Sequence, residues 1–332
     1  MIYTLRPYAP SDAPSVVDVI NADAARVLTL RRAALDGVGN VRLLHYVPPA
    51  SEKTVAVDAA GQVVGFAYLA DHEQHIVYQV GGAVHPDCWN QGIGAALLAW
   101  AETRAQELSQ VAPAGVKTVL QIDLYTDEQR ARHLVSGTGF AQVREWLHLQ
   151  IDLNSPPPAP IVPAGLTLRP IDLDNDWDLL GPAMDAAYAD HWGTVALPEA
   201  ATADDSAEQD QELPEDESYS NAPGFCFLLR AGHEVAGGIL CNARIVERPD
   251  SGRVGSLFVR PEYRRRGAGQ ALMLAAFGAF WAAGLRHVIL DTDAGSFTQA
   301  HRLYTRLGMQ LYRRELVYEK ELRPGLEARR LT

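Results

Sequence analysis

The sequence is poor in the residues that would tie it to several large functional classes. Three cysteines, Cys88, Cys226 and Cys241, are too few for a disulfide scaffold in 332 residues. Their scatter predicts reduced, buried thiols and a cytoplasmic setting. Cys88 stands in a turn, but nothing beside it marks a nucleophile. The ten histidines form no H-x-x-x-H spacing and lie beside no cysteine pair, so no metal is expected. His72 and His75 read as a solvated loop. Basic side chains are outnumbered, 29 against 41, for a net charge of −12, which argues against a nucleic-acid surface. No apolar run reaches the ~18 residues that begin to suggest a membrane span. The first residues, Met-Ile-Tyr-Thr-Leu-Arg-Pro, read as a strand rather than a leader peptide. Neither a Walker A loop nor a G-x-G-x-x-G fingerprint is present.

What is present is a basic glycine turn. Residues 255–259 read as a strand and 270–283 as an apolar helix. Between them lie Pro261, Arg264, Arg265, Arg266, Gly267, Ala268 and Gly269. A strand-to-helix turn with glycines brings backbone N–H groups together on an anion, and arginines add charge beside it. Such a cradle suits a pyrophosphate.

The same design occurs earlier in the chain. Pro86, Gly92 and Gly94 pair with Pro261, Gly267 and Gly269 at one constant spacing. Leu5-Arg6-Pro7 answers Leu168-Arg169-Pro170, Ile122-Asp123-Leu124 answers Leu290-Asp291-Thr292, and Gly139-Phe140 answers Gly308-Met309. Several matches in one order imply two copies of a domain. The linker is legible as Pro-rich, since Pro156, Pro157, Pro158, Pro160 and Pro163 resist helix and sheet. The expected division is 1–154, a linker at 155–165, and 166–332. Each half reads as mixed α/β. In the first, strands are expected at 2–6, 55–57, 63–69, 79–84, 119–124 and 146–153, with helices near 94–109 and 128–138. The second half repeats them at 225–230, 234–241, 255–259, 287–291 and 311–320, with helices at 270–283 and 298–307.

At these residues the chain resembles the GCN5-related N-acetyltransferase (GNAT) superfamily, whose signature reads Arg/Gln-x-x-Gly-x-Gly/Ala. Arg264, Gly267 and Gly269 match it in register. The order of elements extends the resemblance over nearly the whole chain, and implies two tandem GNAT acyltransferase domains of α+β mixed sheet. The arrangement is similar to the mycothiol synthase family of tandem GNAT enzymes, which pair a degraded half with an intact one and act on a cysteinyl amine of a sugar conjugate.

The resemblance implies acetyl-CoA as co-substrate. Leu257, Phe258 and Val259 would line its pantetheine arm, and the turn from Arg264 through Gly269 to Gln270 would hold its pyrophosphate. Ala83, Val84, Gln91, Gly92, Ile93, Gly94 and Ala95 are the matching residues of the first half. The resemblance also implies that Tyr304, four residues before Gly308, is the general acid to the CoA sulfur. The first half has Trp89 for Arg264 and Val135 for Tyr304, so it is expected to be catalytically silent. Ser296 stands where many members have Asn. Arg253 stands near the usual glutamate base and cannot replace it, leaving Asp291 or Asp293, directly or through water. The expected acceptor is the primary amine of a small molecule, with no nucleic acid or membrane partner, in a monomer or homodimer. Two active halves acting on different amines, an acetyltransferase for a protein amine, and a CoA-sensing protein without turnover are the alternatives. An acidic segment, 199–217, and His191, Trp192 and Gly193 before it border the region where a GNAT acceptor enters. They read either as a lid for a cation or as a solvated insertion.

Overall fold

A computed structural model describes residues 3–27, 33–35, 41–43, 52–72, 75–189, 222–245, 248–296 and 298–328. The acidic segment and His191–Gly193 lie outside these residues.

The chain forms two compact units. The first comprises Met1–Arg144 with Glu315–Ala328, and the second is built from Glu145–Arg314. Unit 1 holds β1 (Tyr3–Pro7), α1 (Ala13–Val27), the short pair β2 (Ala33–Leu35) and β3 (Val41–Leu43), β4 (Glu52–Asp58), β5 (Val63–His72), β6 (Val77–Val84), α2 (Ile93–Leu108), β7 (Thr118–Tyr125) and α3 (Gln129–Ser136). The next strand, β8 (Ala141–Asp152), pairs within unit 2. That unit continues through β9 (Thr167–Pro170), α4 (Leu173–Tyr188), β10 (Phe227–Ala231), β11 (Glu234–Ile245), β12 (Arg248–Val259), α5 (Ala268–Ala282), β13 (His287–Asp293) and α6 (Ala300–Arg306). The last strand, β14 (Gln310–Arg323), pairs within unit 1.

The sheets of the two units have one topology. Unit 1 runs β1-β4-β5-β6-β7-β14, and unit 2 runs β9-β10-β11-β12-β13-β8. Every neighbouring pair is antiparallel except β6 with β7 and β12 with β13. The repeated Leu-Arg-Pro has a physical role. Arg6 makes two 2.7 Å bonds to the Asp12 carboxylate before α1, and Arg169 makes two 2.6 Å bonds to Asp176 in α4. Each arginine fork fixes the first strand of its unit to the helix that follows. The helices bury the faces their patterns predict. α2 turns Leu97, Leu98, Ala101 and Ala105 inward, and α5, apolar on all sides, is buried over most of its length.

The division by compactness differs from the division expected at residues 154–166. Segment 153–166 carries neither strand nor helix, as its prolines require. The strand before it, expected to close the first half, instead pairs along β13, from His287 with Asp152 to Asp293 with Trp146. Strand β14 pairs reciprocally with β7, from Arg323 with Thr118 to Glu315 with Tyr125. Leu149 and Leu153 thereby enter the core of unit 2, and Leu316 and Tyr318 that of unit 1. Alternating patterns fix which face of a strand is buried but not which partner it takes, and two near-copies offer each closing strand two similar partners.

This exchange predicts that a fragment cut at the linker, 155–332, will not melt cooperatively. It lacks the strand beside β13 and two buried leucines, each worth about 1.5–3 kcal/mol, against a total stability of about 5–15 kcal/mol for such a domain. Circular dichroism of the fragment beside the full chain checks this. A sharp transition within a few degrees of the full chain would show that β8 is dispensable.

Candidate functional site

The site in unit 2 begins where two parallel strands part. β12 pairs with β13 only from Ser251–His287 to Val254–Leu290, yet β12 runs on to Val259 and β13 to Asp293. A bulge lies at the fork. Ser256 pairs with Leu240 and Val254 with Cys241, leaving Gly255 as the extra residue. The bulge reverses side-chain parity. Before it, Gly252 faces Phe280 of α5; beyond it, Leu257 reaches toward Gly269 of α5. Ser256 and Phe258 turn to the other face, where the Tyr188 hydroxyl of α4 bonds the Ser256 hydroxyl and the Tyr188 and Phe258 rings lie 6.4 Å apart.

The N–H of Arg260 donates to Ala236 O at 3.0 Å. Antiparallel alternation then directs the Phe258 backbone to β11, and the backbones of Leu257 and Val259 toward the opening between β12 and β13. In unit 1 the N–H of His85 donates to Val64 O at 2.9 Å, so Ala83 is likewise turned inward and Val84 outward. Strand β6 also parts from β7, pairing only over Val77–Gln79 with Val119–Gln121, but its pairing with β5 is unbroken by a bulge.

The glycine turns have one backbone conformation. Arg265 and Gly267 have φ of 63° and 91°, and Asn90 and Gly92 have 60° and 83°. Left-handed residues at alternate positions form a nest for an anion, and the first N–H groups of α5 and α2 have no intrahelical acceptor. A Cβ at Gly267 would meet no atom within 4 Å, so space remains above the turn, and Arg265, Arg266 and Gln270 are exposed around it. The second glycine serves packing. A Cβ at Gly269 would stand 3.0 Å from Leu303 of α6, and one at Gly94 3.5 Å from Leu134 of α3. Ile93 and Ala268 are buried at the helix starts, while Gln91 and Ala95 flank the cradle of unit 1.

Arg264 points away from this space. Its Nε donates to Val259 O at 3.0 Å and its Nη2 to Ala187 O of α4 at 2.8 Å. In unit 1 the Trp89 indole N–H does the same work, donating to Val84 O at 2.9 Å and to Asp23 of α1 at 3.1 Å. The two residues that distinguish the turns by sequence are therefore equivalent clamps between strand end and first helix. Burial raises the Asp23 carboxyl to about 6, the Trp89 bond offsetting part of the rise.

Tyr304 of α6 is buried at 6% exposure. Its burial, and secondarily the charge of nearby Tyr188, raise its pKa well above the ordinary phenol value, so the phenol stays protonated at neutral pH. Its counterpart Val135 is buried in the core of unit 1. The acids proposed as bases are otherwise engaged. Asp291 is bound by His148 Nδ1 and Arg253 Nη2, each at 2.6 Å. Burial alone would raise its carboxyl, but the His148 hydrogen bond and Arg253 charge outweigh it and bring the pKa to about 2. Such a carboxylate is too weak a base for an ammonium group. Asp293 caps a turn by accepting from Gly295 N at 2.8 Å, and Ser296 bonds Thr298 at 2.9 Å. His148 and Tyr188 were not singled out by their sequence signals. His148 belongs to a strand that sequence assigns to the other half. The three cysteines are buried, and burial raises each thiol. Among the described residues no group of three or more His, Cys, Asp or Glu could hold a metal, and no helix is long and apolar enough to cross a membrane.

Comparison with known proteins matches this geometry. The sequence model of the acetyltransferase (GNAT) family matches residues 191–309, and that of the acetyltransferase (GNAT) domain matches 50–142. Mycothiol acetyltransferase of Salinispora arenicola is 30% identical over 310 residues, covering 90% of this chain and 93% of the relative. The enzyme of that name from Thermobispora bispora is 27% identical over 310 residues, covering 90% and 96%. Among solved structures, a GCN5-related N-acetyltransferase from Sphaerobacter thermophilus aligns with a TM-score of 0.74 and 26% identity, over 98% of this chain and 97% of its own. A tandem GNAT protein from the clavulanic acid biosynthesis pathway aligns with a TM-score of 0.65 at 21% identity, over 98% and 100%, and shares the fold. With two copies of the parted sheet and glycine turn, and a 30% identical relative matched over 90% of the chain, the chain belongs to the GNAT family of acetyltransferases, as a tandem two-domain member related to the mycothiol acetyltransferases.

Proposed function

We propose that unit 2 transfers the acetyl group of acetyl-CoA directly to the primary amine of a small molecule, with Tyr304 as general acid. Acetyl-CoA supplies an activated thioester carbonyl and a sulfur leaving group. The exposed N–H groups of Leu257 and Val259 suit the carbonyl and the pantetheine amides, as an added strand would. The Arg265–Gly269 backbone and the exposed guanidiniums of Arg265 and Arg266 suit the pyrophosphate. Tyr304 would give its proton to sulfur as the C–S bond breaks. The observation that carries this reading is the buried phenol of Tyr304, within electrostatic reach of Tyr188, where unit 1 has Val135.

The resemblance to the mycothiol synthase family directs the acceptor search to a cysteinyl amine on a sugar conjugate, and N-cysteinyl glucosamine is the first compound to assay. A panel adding glucosamine, spermidine and a lysine peptide separates this acceptor from protein amines by the rate of thiol release. Unit 1 retains the cradle's backbone without the acid, and we assign it binding or support rather than turnover.

Three outcomes are expected. Gly267→Asp should weaken acetyl-CoA binding at least tenfold by calorimetry, whereas Gly267→Asn, of equal size and equal tolerance for left-handed backbone, should lose much less. Equal affinities of the two variants would remove the anion from this turn. Gly92→Asp should leave turnover within about threefold of wild type at unchanged melting temperature. A loss matching that of Gly267→Asp would give unit 1 a part in the chemistry. Tyr304→Phe should lower kcat by about 100–10,000-fold with little change in acetyl-CoA affinity; a wild-type rate at saturating acceptor would make Tyr304 a core aromatic only.

A further inference from the structure

We propose that His148, on the strand that unit 2 takes from the first half of the sequence, is the general base for the acceptor amine, with Asp291 and Arg253 as its positioning residues. The inference rests on the proposed function for the location of the reacting groups. Four observations carry it.

The first is placement. Pairing of β12 with β13 ends at Val254 and Leu290, so Asp291 is the first residue of β13 beyond the fork. His148 is its cross-strand partner on β8, and directly opposed residues project to one face. That face is the one that α4 covers, because Arg253, alternating with Gly252 and Val254, points away from α5. Ser256, Phe258 and Tyr188 lie on the same face. A thioester held along Leu257 and Val259 would lie in the fork beside them.

The second is the hydrogen-bond order. Arg253 Nη2 holds one Asp291 oxygen at 2.6 Å and His148 Nδ1 holds the other at 2.6 Å. The ionised carboxylate can only accept, so Nδ1 carries the proton, and Nε2 is the basic nitrogen of the neutral ring. Arg253 keeps Asp291 ionised, and Asp291 in turn stabilises the imidazolium once formed. The third is enclosure. The His148 side chain is 11% exposed, and the edge of Tyr312 stands against it at 6.1 Å between centroids.

The fourth comes from the duplication. In unit 1 the aspartate recurs as Asp123, but Val317 lies opposite it. Its carboxylate is held by the neutral amides of Gln79 at 3.0 Å and Gln121 at 3.1 Å. Unit 1 therefore has valine at the place of His148 and valine at the place of Tyr304. The two groups able to move protons are present together in one unit and replaced together in the other.

The proton balance closes. The acceptor enters as an ammonium ion, and His148 Nε2 takes one proton. The freed lone pair forms the C–N bond as the C–S bond breaks. Sulfur receives the Tyr304 proton, and the excess proton on nitrogen returns to the phenolate through solvent. His148 then releases its proton to solvent.

The test is the pH dependence of kcat on the full chain, with N-cysteinyl glucosamine and glucosamine as separate acceptors. Asp291 and Tyr312 stand against the His148 ring, and Arg253 holds the other Asp291 oxygen. In the wild type, kcat should fall tenfold per pH unit below one apparent pKa common to both acceptors. His148→Gln should lose about 100–10,000-fold in kcat on the plateau and lose that acidic limb, with acetyl-CoA affinity unchanged by calorimetry. Asp291→Asn removes the anion that favours the imidazolium, so its acidic limb should move to lower pH. This second variant decides the question if His148→Gln does not fold. An unmoved limb in Asp291→Asn, or a His148→Gln enzyme within fivefold of wild type with its limb intact, would overturn the proposal. Tyr304→Phe should lower the plateau and leave the acidic limb in place, so the two assignments fail separately.

Discussion

The geometry of the site depends on one constraint, which is that β12 cannot pair with β13 along its whole length. Four registers of parallel pairing bring the strands together, and a bulge at Gly255 then turns one away. The backbone of Leu257 and Val259 is left facing a gap instead of a strand. The same bulge changes which residues meet α5 and which meet α4. Without the extra residue, Ser256 and Phe258 would point at α5, and Tyr188 would have no hydroxyl to bond. Catalysis by preorganised backbone donors requires such unsatisfied groups to be held rigidly rather than left to a loop. Here long antiparallel pairing with β11 on the other side supplies the rigidity.

The two units show how a duplicated scaffold can keep its architecture while its chemistry diverges. Both retain the arginine–aspartate fork, the left-handed turn and the glycine that admits a leucine of the last helix. Arg264 and Trp89 differ in charge, yet both tie the strand end to the first helix through a nitrogen donor. The divergence is concentrated in the parts facing the fork. Tyr68 lies against Gly81, at the position of Ser256, and apolar side chains replace the phenol and imidazole.

Much of this was legible in the sequence because it is local. Glycines at left-handed positions, helix faces and the repeated motifs depend on neighbours within a few residues, and the observed elements fall close to their expected ranges. The glycine turn was read as a backbone cradle, and its left-handed backbone at Arg265 and Gly267 is present, but Arg264 was read as a charge for the anion when its fork reaches backward to Val259 and Ala187. That reach depends on the packing of α4, which no local pattern reveals. The closing strands were recognised as strands and given to the wrong halves. The misassignment hid His148, since a residue on a supposed strand of unit 1 was not weighed among the groups of unit 2. It also left Asp291 looking like a base when Arg253 and His148 hold it as an anion.

The exchange of β8 and β14 also bears on how the protein comes into being. Synthesis proceeds from the N-terminus, and domains commonly fold in that order as they emerge. Unit 1 cannot do so here. Its sheet lacks its closing strand until Arg323 has left the ribosome, and during the whole interval the edge of β7 stands open. Strand β8 is made early and has no partner until β13 follows it, more than a hundred residues later. Two unpaired edges of near-identical design therefore wait side by side in time, and either could capture the wrong strand. In this protein the order of translation and the order of assembly run counter to each other.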